Sequence, residues 1–324
     1  MVDAGASKAL GRKVVWVRVP LRARCYGGLM SNAAQLALFP GQGAITEGQG
    51  RLWSSSPHWP LVHQIGDITG IDVERILLHL PDDEVVRTDN AQIGTFALSL
   101  VAFADFTERF GTPAHFLGHS LGEFSALVAA GVLSLEDGSR IVATRGAAMA
   151  TAADKHHGTM AALMGGEPGA VEALEDLDEI WIANVNGDDQ IVVSGTMEAI
   201  GRLEIHAKAI GWKRVRRLNV GGAFHSPLMA SAAEDLRAVL ATSTFHETEA
   251  KVYSNVDGAA HASEEWRALC LEQLTSPVQF VAAMNSVDSS VKAAYEMPPG
   301  STLIGLTKRI RAFEILDAYP WASR

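Results

Sequence analysis

The sequence predicts an α/β protein, and three observations carry the prediction. Residues 114–127 run from a strand end at Phe116-Leu117 through Gly118-His119-Ser120-Leu121-Gly122 into an apolar helix. This is the strand–turn–helix setting in which G-x-S-x-G exposes a serine on a tight corner, with helical backbone N–H groups aimed at whatever it attacks. Residues 158–220 read as strand, helix, strand, strand, helix, strand, with a turn at Asn186-Gly187-Asp188-Asp189 between the middle strands, the rhythm of a split βαβ unit. The 324 residues, 48% hydrophobic and 20% charged, suffice for one large core and a smaller satellite. Together these predict an α/β-hydrolase-like large subdomain over 34–155 and 221–318, with an inserted ferredoxin-like (βαββαβ) small subdomain over 156–220.

Residues 1–29 differ from the rest of the chain: Lys8, Arg12, Lys13, Arg18, Arg22 and Arg24 face only Asp3. The stretch Val14-Val15-Trp16-Val17 is cut off by Arg18 and lacks a secretory apolar core. An Arg-rich, acid-poor start resembles an organellar transit peptide, whereas Met30-Ser31-Asn32 suggests an internal start, so a disordered basic extension is expected. No apolar run approaches the ~20 residues that span a bilayer. Two cysteines, Cys25 and Cys270, without C-x-x-C or H-E-x-x-H spacing, indicate neither a disulfide framework nor a zinc site. The net charge of −10 argues against general nucleic-acid binding. A cytoplasmic protein is expected.

The first core strand is expected at 35–39, broken by Pro40-Gly41-Gln42-Gly43. Neither phosphate-binding glycine pattern is present, so this loop is read as facing the Ser120 corner across the strand ends, with Gln42 lining a pocket. A buried helix comes next over 90–103, in which Gln92 reads as a cap or core amide. Ser134-Leu135-Glu136-Asp137 has capping-box form and opens a helix to about 152. On it Ile141, Arg145 and Met149 fall four apart and share a face. An inward arginine needs an anionic partner, either a protein carboxylate or one on a ligand; a structural ion pair or a snorkelling surface arginine is the alternative.

In the small unit, helices are expected at 168–174 and 197–210 and the last strand at 213–220. That strand concentrates Lys213, Arg214, Arg216 and Arg217, either a strand edge blunted by charge or a docking surface for an acidic partner. Small residues 221–223 then lead to His225, the best general-base candidate of eleven histidines. His156 and His157 sit in a polar loop, His246 and His261 among solvent-facing residues, and His119 is expected to turn its ring to the far side of the corner. No aspartate is clearly placed as a third member. Asp235 and Asp257 are options, and a backbone carbonyl is another.

Six separated motifs then fall in order: Phe39-Pro-Gly-Gln-Gly43, Gly118-His-Ser-Leu-Gly-Glu123, Arg145-Gly146, Gly222-Ala-Phe-His-Ser226, Ser254-Asn-Val-Asp257 and Gln273-Leu-Thr-Ser-Pro-Val278. Over roughly 35–311 the chain resembles the malonyl-CoA:acyl carrier protein transacylase family, which includes the acyltransferases of polyketide synthases. The resemblance implies a Ser120 acyl-enzyme with His225 as base, an oxyanion hole from the backbone N–H groups of Gln42 and Leu121, and Arg145 gripping the free malonyl carboxylate. It further implies a histidine oriented by main-chain carbonyls near Asn255 and Gln273, Gln92 in the pocket, and Phe224 crowding an α-methyl group. The implied partners are malonyl-CoA, CoA and an acyl carrier protein docking on Lys213, Arg214, Arg216 and Arg217, with Lys308 and Arg309 nearby. The protein is expected to be a monomer and to need no cofactor and no metal. Ala44-Ile45 stands where the family usually has Ser-Gln, Ile93 where proline is common, and Glu296-Met-Pro-Pro-Gly300 loosens the usual glycine-rich turn. A thioester hydrolase would use the same Ser–His pair, and a non-catalytic carrier-binding module would have lost it.

Overall fold

The computed structural model describes residues 35–187 and 189–315. The basic extension expected over 1–29, Cys25 within it, position 34 and positions 316–318 of the expected large unit lie outside the described residues. The fold is α/β, with two separate sheets. The first is parallel, with strand order β7-β2-β1-β8-β9, built from β1 (Gln35–Phe39), β2 (His115–Gly118), β7 (Lys251–Tyr253), β8 (Ala293–Glu296) and β9 (Glu314–Ile315). Every residue of β1 and β2 is buried, as strands covered by helices on both faces require. Their register pairs Phe39 with Gly118. The loop after β1 and the corner after β2 are thereby brought side by side at the carboxyl ends of the strands.

The corner continues into the helix Leu121–Ala129, the elbow helix. Two long helices pack over the same core, Thr88–Phe110 and Leu135–Lys155. The second starts where the capping box predicts: Ser134 is the N-cap, and its hydroxyl accepts the Asp137 N–H at 2.9 Å. Its inward stripe includes Ile141, Arg145 and Met149, all buried.

The second sheet is antiparallel, with order β4-β5-β3-β6, from β3 (Gly158–Gly166), β4 (Ile180–Gly187), β5 (Gln190–Thr196) and β6 (Trp212–Arg217). With its helix Met197–His206 it encloses a core of its own around Ala161, Leu163, Val193, Ile200 and Trp212. The helix expected at 168–174 is reduced to one turn, Glu172–Glu175, because Gly169 adopts φ 84° immediately after Pro168 and delays helical geometry. The last strand ends at Arg217 rather than 220, although the Leu218 N–H still donates to Met160 O at 2.9 Å. Hydrogen bonds between Val185 N–H and Val278 O (2.9 Å) and between Val278 N–H and Ala183 O (2.8 Å) tie this sheet to the segment after Gln273. The chain enters and leaves the antiparallel sheet at adjacent points: a Cβ at Gly158 would lie 2.7 Å from the Cβ of Ala223.

Candidate active site

Ser120 stands at the corner with φ 53° and ψ −111°, a left-handed strain that no side chain favours. The flanking glycines serve a different need from the turn freedom the motif suggests. Neither has a positive φ; both are demanded by contact. A Cβ at Gly118 would lie 1.9 Å from the backbone of Gly122, and one at Gly122 would lie 2.0 Å from Phe39 O. The elbow helix thus presses directly on the ends of β1 and β2. Within the corner, the left-handed strain falls on the serine.

Ser120 Oγ lies 2.7 Å from His225 Nε2. His225 Nδ1 lies 2.9 Å from the carbonyl oxygen of Gln273, which can only accept, so Nδ1 carries the proton and Nε2 is left to accept from the serine hydroxyl. Burial, reinforced by the charge of Arg145, depresses the imidazole pKa to about 3. The ring is therefore neutral near pH 7, the state a general base needs. His225 itself has φ 56°. The orienting group is a backbone carbonyl, one of the alternatives open from the sequence; Asp235 is exposed and Asp257 pairs with His261 at 2.9 Å. Asn255 departs from expectation. Its carbonyl accepts from Gln279 N–H at 2.7 Å and is not the histidine's partner. Its side chain instead clamps the corner, Oδ1 accepting the Ser120 N–H at 2.7 Å and Nδ2 donating to Gly118 O at 2.7 Å.

Arg145 is 1% exposed. Its guanidinium donates to Gln92 Oε1 at 2.7 Å, to Gln273 Oε1 at 3.0 Å and to Ser120 Oγ at 3.3 Å, and it lies over the Phe124 ring at 5.3 Å. Burial lowers its pKa only to about 10, so the cation persists at neutrality. No described carboxylate lies within ion-pair distance of it. Gln92, fully buried, extends the network by donating to Gln42 Oε1 at 3.0 Å. Gln42 opens a short 3-10 turn and Leu121 the elbow helix, where first-turn N–H groups have no intrahelical acceptor.

Ser120, His225 and Gln42 line a cavity of about 360 Å³ between the two sheets, and the Arg145 guanidinium lies behind Ser120. Gln42, Ser120, Met149 and His225 form one wall, Phe224 lies beside His225, and Ala162 and Val192 of the antiparallel sheet face them. His119 was expected on the far side of the corner. It lines this cavity, its Nε2 held 3.0 Å from Asn186 Oδ1, because the antiparallel sheet comes down over the corner. Glu296 also reaches the wall, its carboxylate tied to the N–H groups of Thr302 (3.2 Å) and Ile304 (3.0 Å).

The basic residues of β6 divide between two faces. Directly paired residues of an antiparallel ladder point the same way. Arg216 pairs with cavity-lining Ala162 and Arg214 with Met164, whereas Val215 pairs with Leu163 of the small core. Lys213 and Arg217 therefore lie on the helix side, where Arg217 meets Glu204 at 2.7 Å. Lys308 and Arg309 end the helix Leu303–Ile310, and Arg309 stands 3.7 Å from Asp189.

Sequence reasoning missed Glu123 as a site residue. It is fully buried under the corner, accepting from Asn255 N–H at 2.6 Å and from Gln273 Nε2. The available signal was one acid on an otherwise uncharged, largely apolar helix. Ser120-Leu-Gly-Glu123 has capping-box form, yet the serine side chain makes no cap bond, which leaves the acid to another task.

The acyl transferase domain profile matches residues 38–314. The malonyl CoA-acyl carrier protein transacylase of Bacillus subtilis (strain 168) is 35% identical over 282 residues, covering 84% of this chain and 89% of that protein. The crystal structure of MCAT from Mycobacterium tuberculosis superposes with a TM-score of 0.82 at 32% identity, covering 88% of this chain and 97% of that one. A malonyl-transacylase solved in complex with a type II PKS acyl-carrier protein gives a TM-score of 0.82 at 29% identity, over 88% of this chain and 96% of that one.

Proposed function

The chain belongs to the acyl transferase domain family, and on that premise we propose that it moves a malonyl group from malonyl-CoA to the phosphopantetheine thiol of an acyl carrier protein, in fatty-acid or polyketide biosynthesis. The observation that carries the reading is the buried Arg145 guanidinium, 3.3 Å from the Ser120 hydroxyl and without an ion-pair partner among the described residues. An acyl group esterified to Ser120 and ending in a carboxylate would meet that charge in a bidentate pair. An acyl group without one would leave that buried charge without a counter-ion.

The cycle balances on two side chains. Ser120 Oγ attacks the thioester carbonyl while His225 Nε2 takes its proton; the C–S bond breaks and the imidazolium returns that proton to the CoA sulfur. The carrier thiol then gives its proton to His225 and attacks the ester; the C–Oγ bond breaks and Ser120 regains the proton. The backbone N–H groups of Leu121 and Gln42 are assigned to the oxyanion of both intermediates, a role whose loss costs about 10²–10³ in kcat. Phe224 beside His225 is assigned to crowding an α-substituent, a discrimination on the order of 1–3 kcal/mol. Every proton and bond is accounted for by Ser120 and His225, so the reading assigns no resident cofactor or metal. It places a monomer in the cytoplasm; no helix of the described residues is long and apolar enough to cross a membrane.

Intact-protein mass after brief exposure to malonyl-, methylmalonyl- and acetyl-CoA tests the reading. A malonyl adduct is expected on the wild type, none on Ser120→Ala, and a shift toward acetyl on Arg145→Ala. Sustained release of free CoA without a carrier would replace transfer by hydrolysis.

A further inference from the structure

The three groups assigned to the chemistry are held by two residues, and those two residues are held by one carboxylate. Asn255 clamps the Ser120 N–H and the Gly118 carbonyl. Gln273 does more: its carbonyl accepts from His225 Nδ1, its side-chain oxygen accepts from Arg145 at 3.0 Å, and its Nε2 donates to Ser120 O at 3.1 Å. Glu123 Oε1 accepts the Asn255 N–H at 2.6 Å, and Oε2 accepts Gln273 Nε2.

We propose that Glu123 is the positioning residue of this site: through Asn255 and Gln273 its carboxylate fixes the nucleophile, the base and the carboxylate clamp in one frame. The inference rests on the malonyl-transfer reading for the roles of Ser120, His225 and Arg145. The Glu123 carboxylate is hydrogen-bonded to Asn255 and Gln273 and to no residue lining the cavity, so it acts through those two partners.

Both bonds run from N–H donors to carboxylate oxygens, which fixes the form that does the work. Ionised Glu123 accepts both; a protonated acid turns one oxygen into a donor facing a donor. Burial raises its pKa to about 7, against the two hydrogen bonds and the charge of Arg145, while Asp257 pushes it higher. The Cys270 thiol, packed near it from the helix Trp266–Glu272, is held protonated by burial and contributes no competing charge. Holding the frame and titrating near neutrality are therefore properties of the same group. Glu123→Gln keeps the shape and loses one acceptor, since its amide NH2 must confront either Asn255 N–H or Gln273 Nε2.

The test is malonyl transfer followed as kcat and KM across pH in the wild type, Glu123→Gln and Glu123→Asp. Glu123→Gln is expected to lower kcat by roughly 10–100-fold, the scale of a misplaced reacting group, with little change in malonyl-CoA KM. It is also expected to flatten the fall in kcat that the wild type shows as pH drops through about 7. Glu123→Asp, which keeps the charge but shortens the reach, should retain that acidic limb at reduced kcat. A Glu123→Gln enzyme with wild-type kcat, or with the acidic limb intact, overturns the proposal. Should that variant not fold, a Glu123→Asp enzyme whose kcat equals that of the wild type does the same. A wild type that takes no malonyl adduct would instead overturn the transfer reading, which separates the two failures.

Discussion

Burial moves His225 and Glu123 in opposite directions for the same reason, since it disfavours the charged form of each. The imidazole stands at about 3 against an ordinary 6.5, so the unfolded chain takes up its proton first and the fold loses stability as pH falls from 6.5 toward 3. The carboxyl stands at about 7 against 4.5, so its contribution is fully present below 4.5 and is lost as pH rises through 7. Urea midpoints measured from about pH 3 to about pH 8 should therefore lose, in Glu123→Gln, the contribution that falls as pH rises from 4.5 to about 7, and, in His225→Gln, part of their acidic decline. Slopes identical to wild type in both variants would contradict these assignments. Ser120, His225 and Arg145 were legible because each carries a local sign: a glycine-bracketed corner, a histidine after small residues, an arginine in register with Ile141 and Met149. Glu123 and the side chain of Asn255 were not, because their partners, Gln273 and the Ser120 N–H, are 150 and 135 positions away.

At the scale of elements, the elbow works because a helix, a strand and a loop meet without side chains between them. Gly122 is the contact point, and Gly122→Ala would drive a methyl into the carbonyl of Phe39 at 2.0 Å. A loss of at least about 3 kcal/mol, or failure to fold, is expected in chemical denaturation. Gly43→Ala, whose added Cβ meets nothing within 4 Å, is the control and should stay within about 0.5 kcal/mol of wild type. The long helices and β1 announce themselves by period, cap and apolar run. β7, β8 and β9, with three, four and two residues, are too short for periodicity to speak, and only pairing with their neighbours defines them.

Across the whole molecule, an acidic protein of net charge −10 presents Arg214 and Arg216 on the cleft side of its edge strand. An acidic carrier guided by charge would meet these two first, whereas Lys213 and Arg217 face away and Arg217 is already paired with Glu204. Reversing Arg214 and Arg216 to Glu should raise the carrier KM severalfold and spare acylation by malonyl-CoA, and reversing Lys213 and Arg217 should do less. Equal effects from both pairs, in steady-state transfer assays, would remove the distinction between faces. The strand was legible as basic from the sequence, but which cations share a face with the cleft is decided by the pairing of β6 with β3. The touching of Gly158 and Ala223 has a consequence for descent as well as for shape. An excursion that departs and returns at one spot can be lengthened, trimmed or swapped without rethreading the remainder. The roof over the reacting serine is thus an insert that leaves the order of the strands in the floor beneath it unchanged.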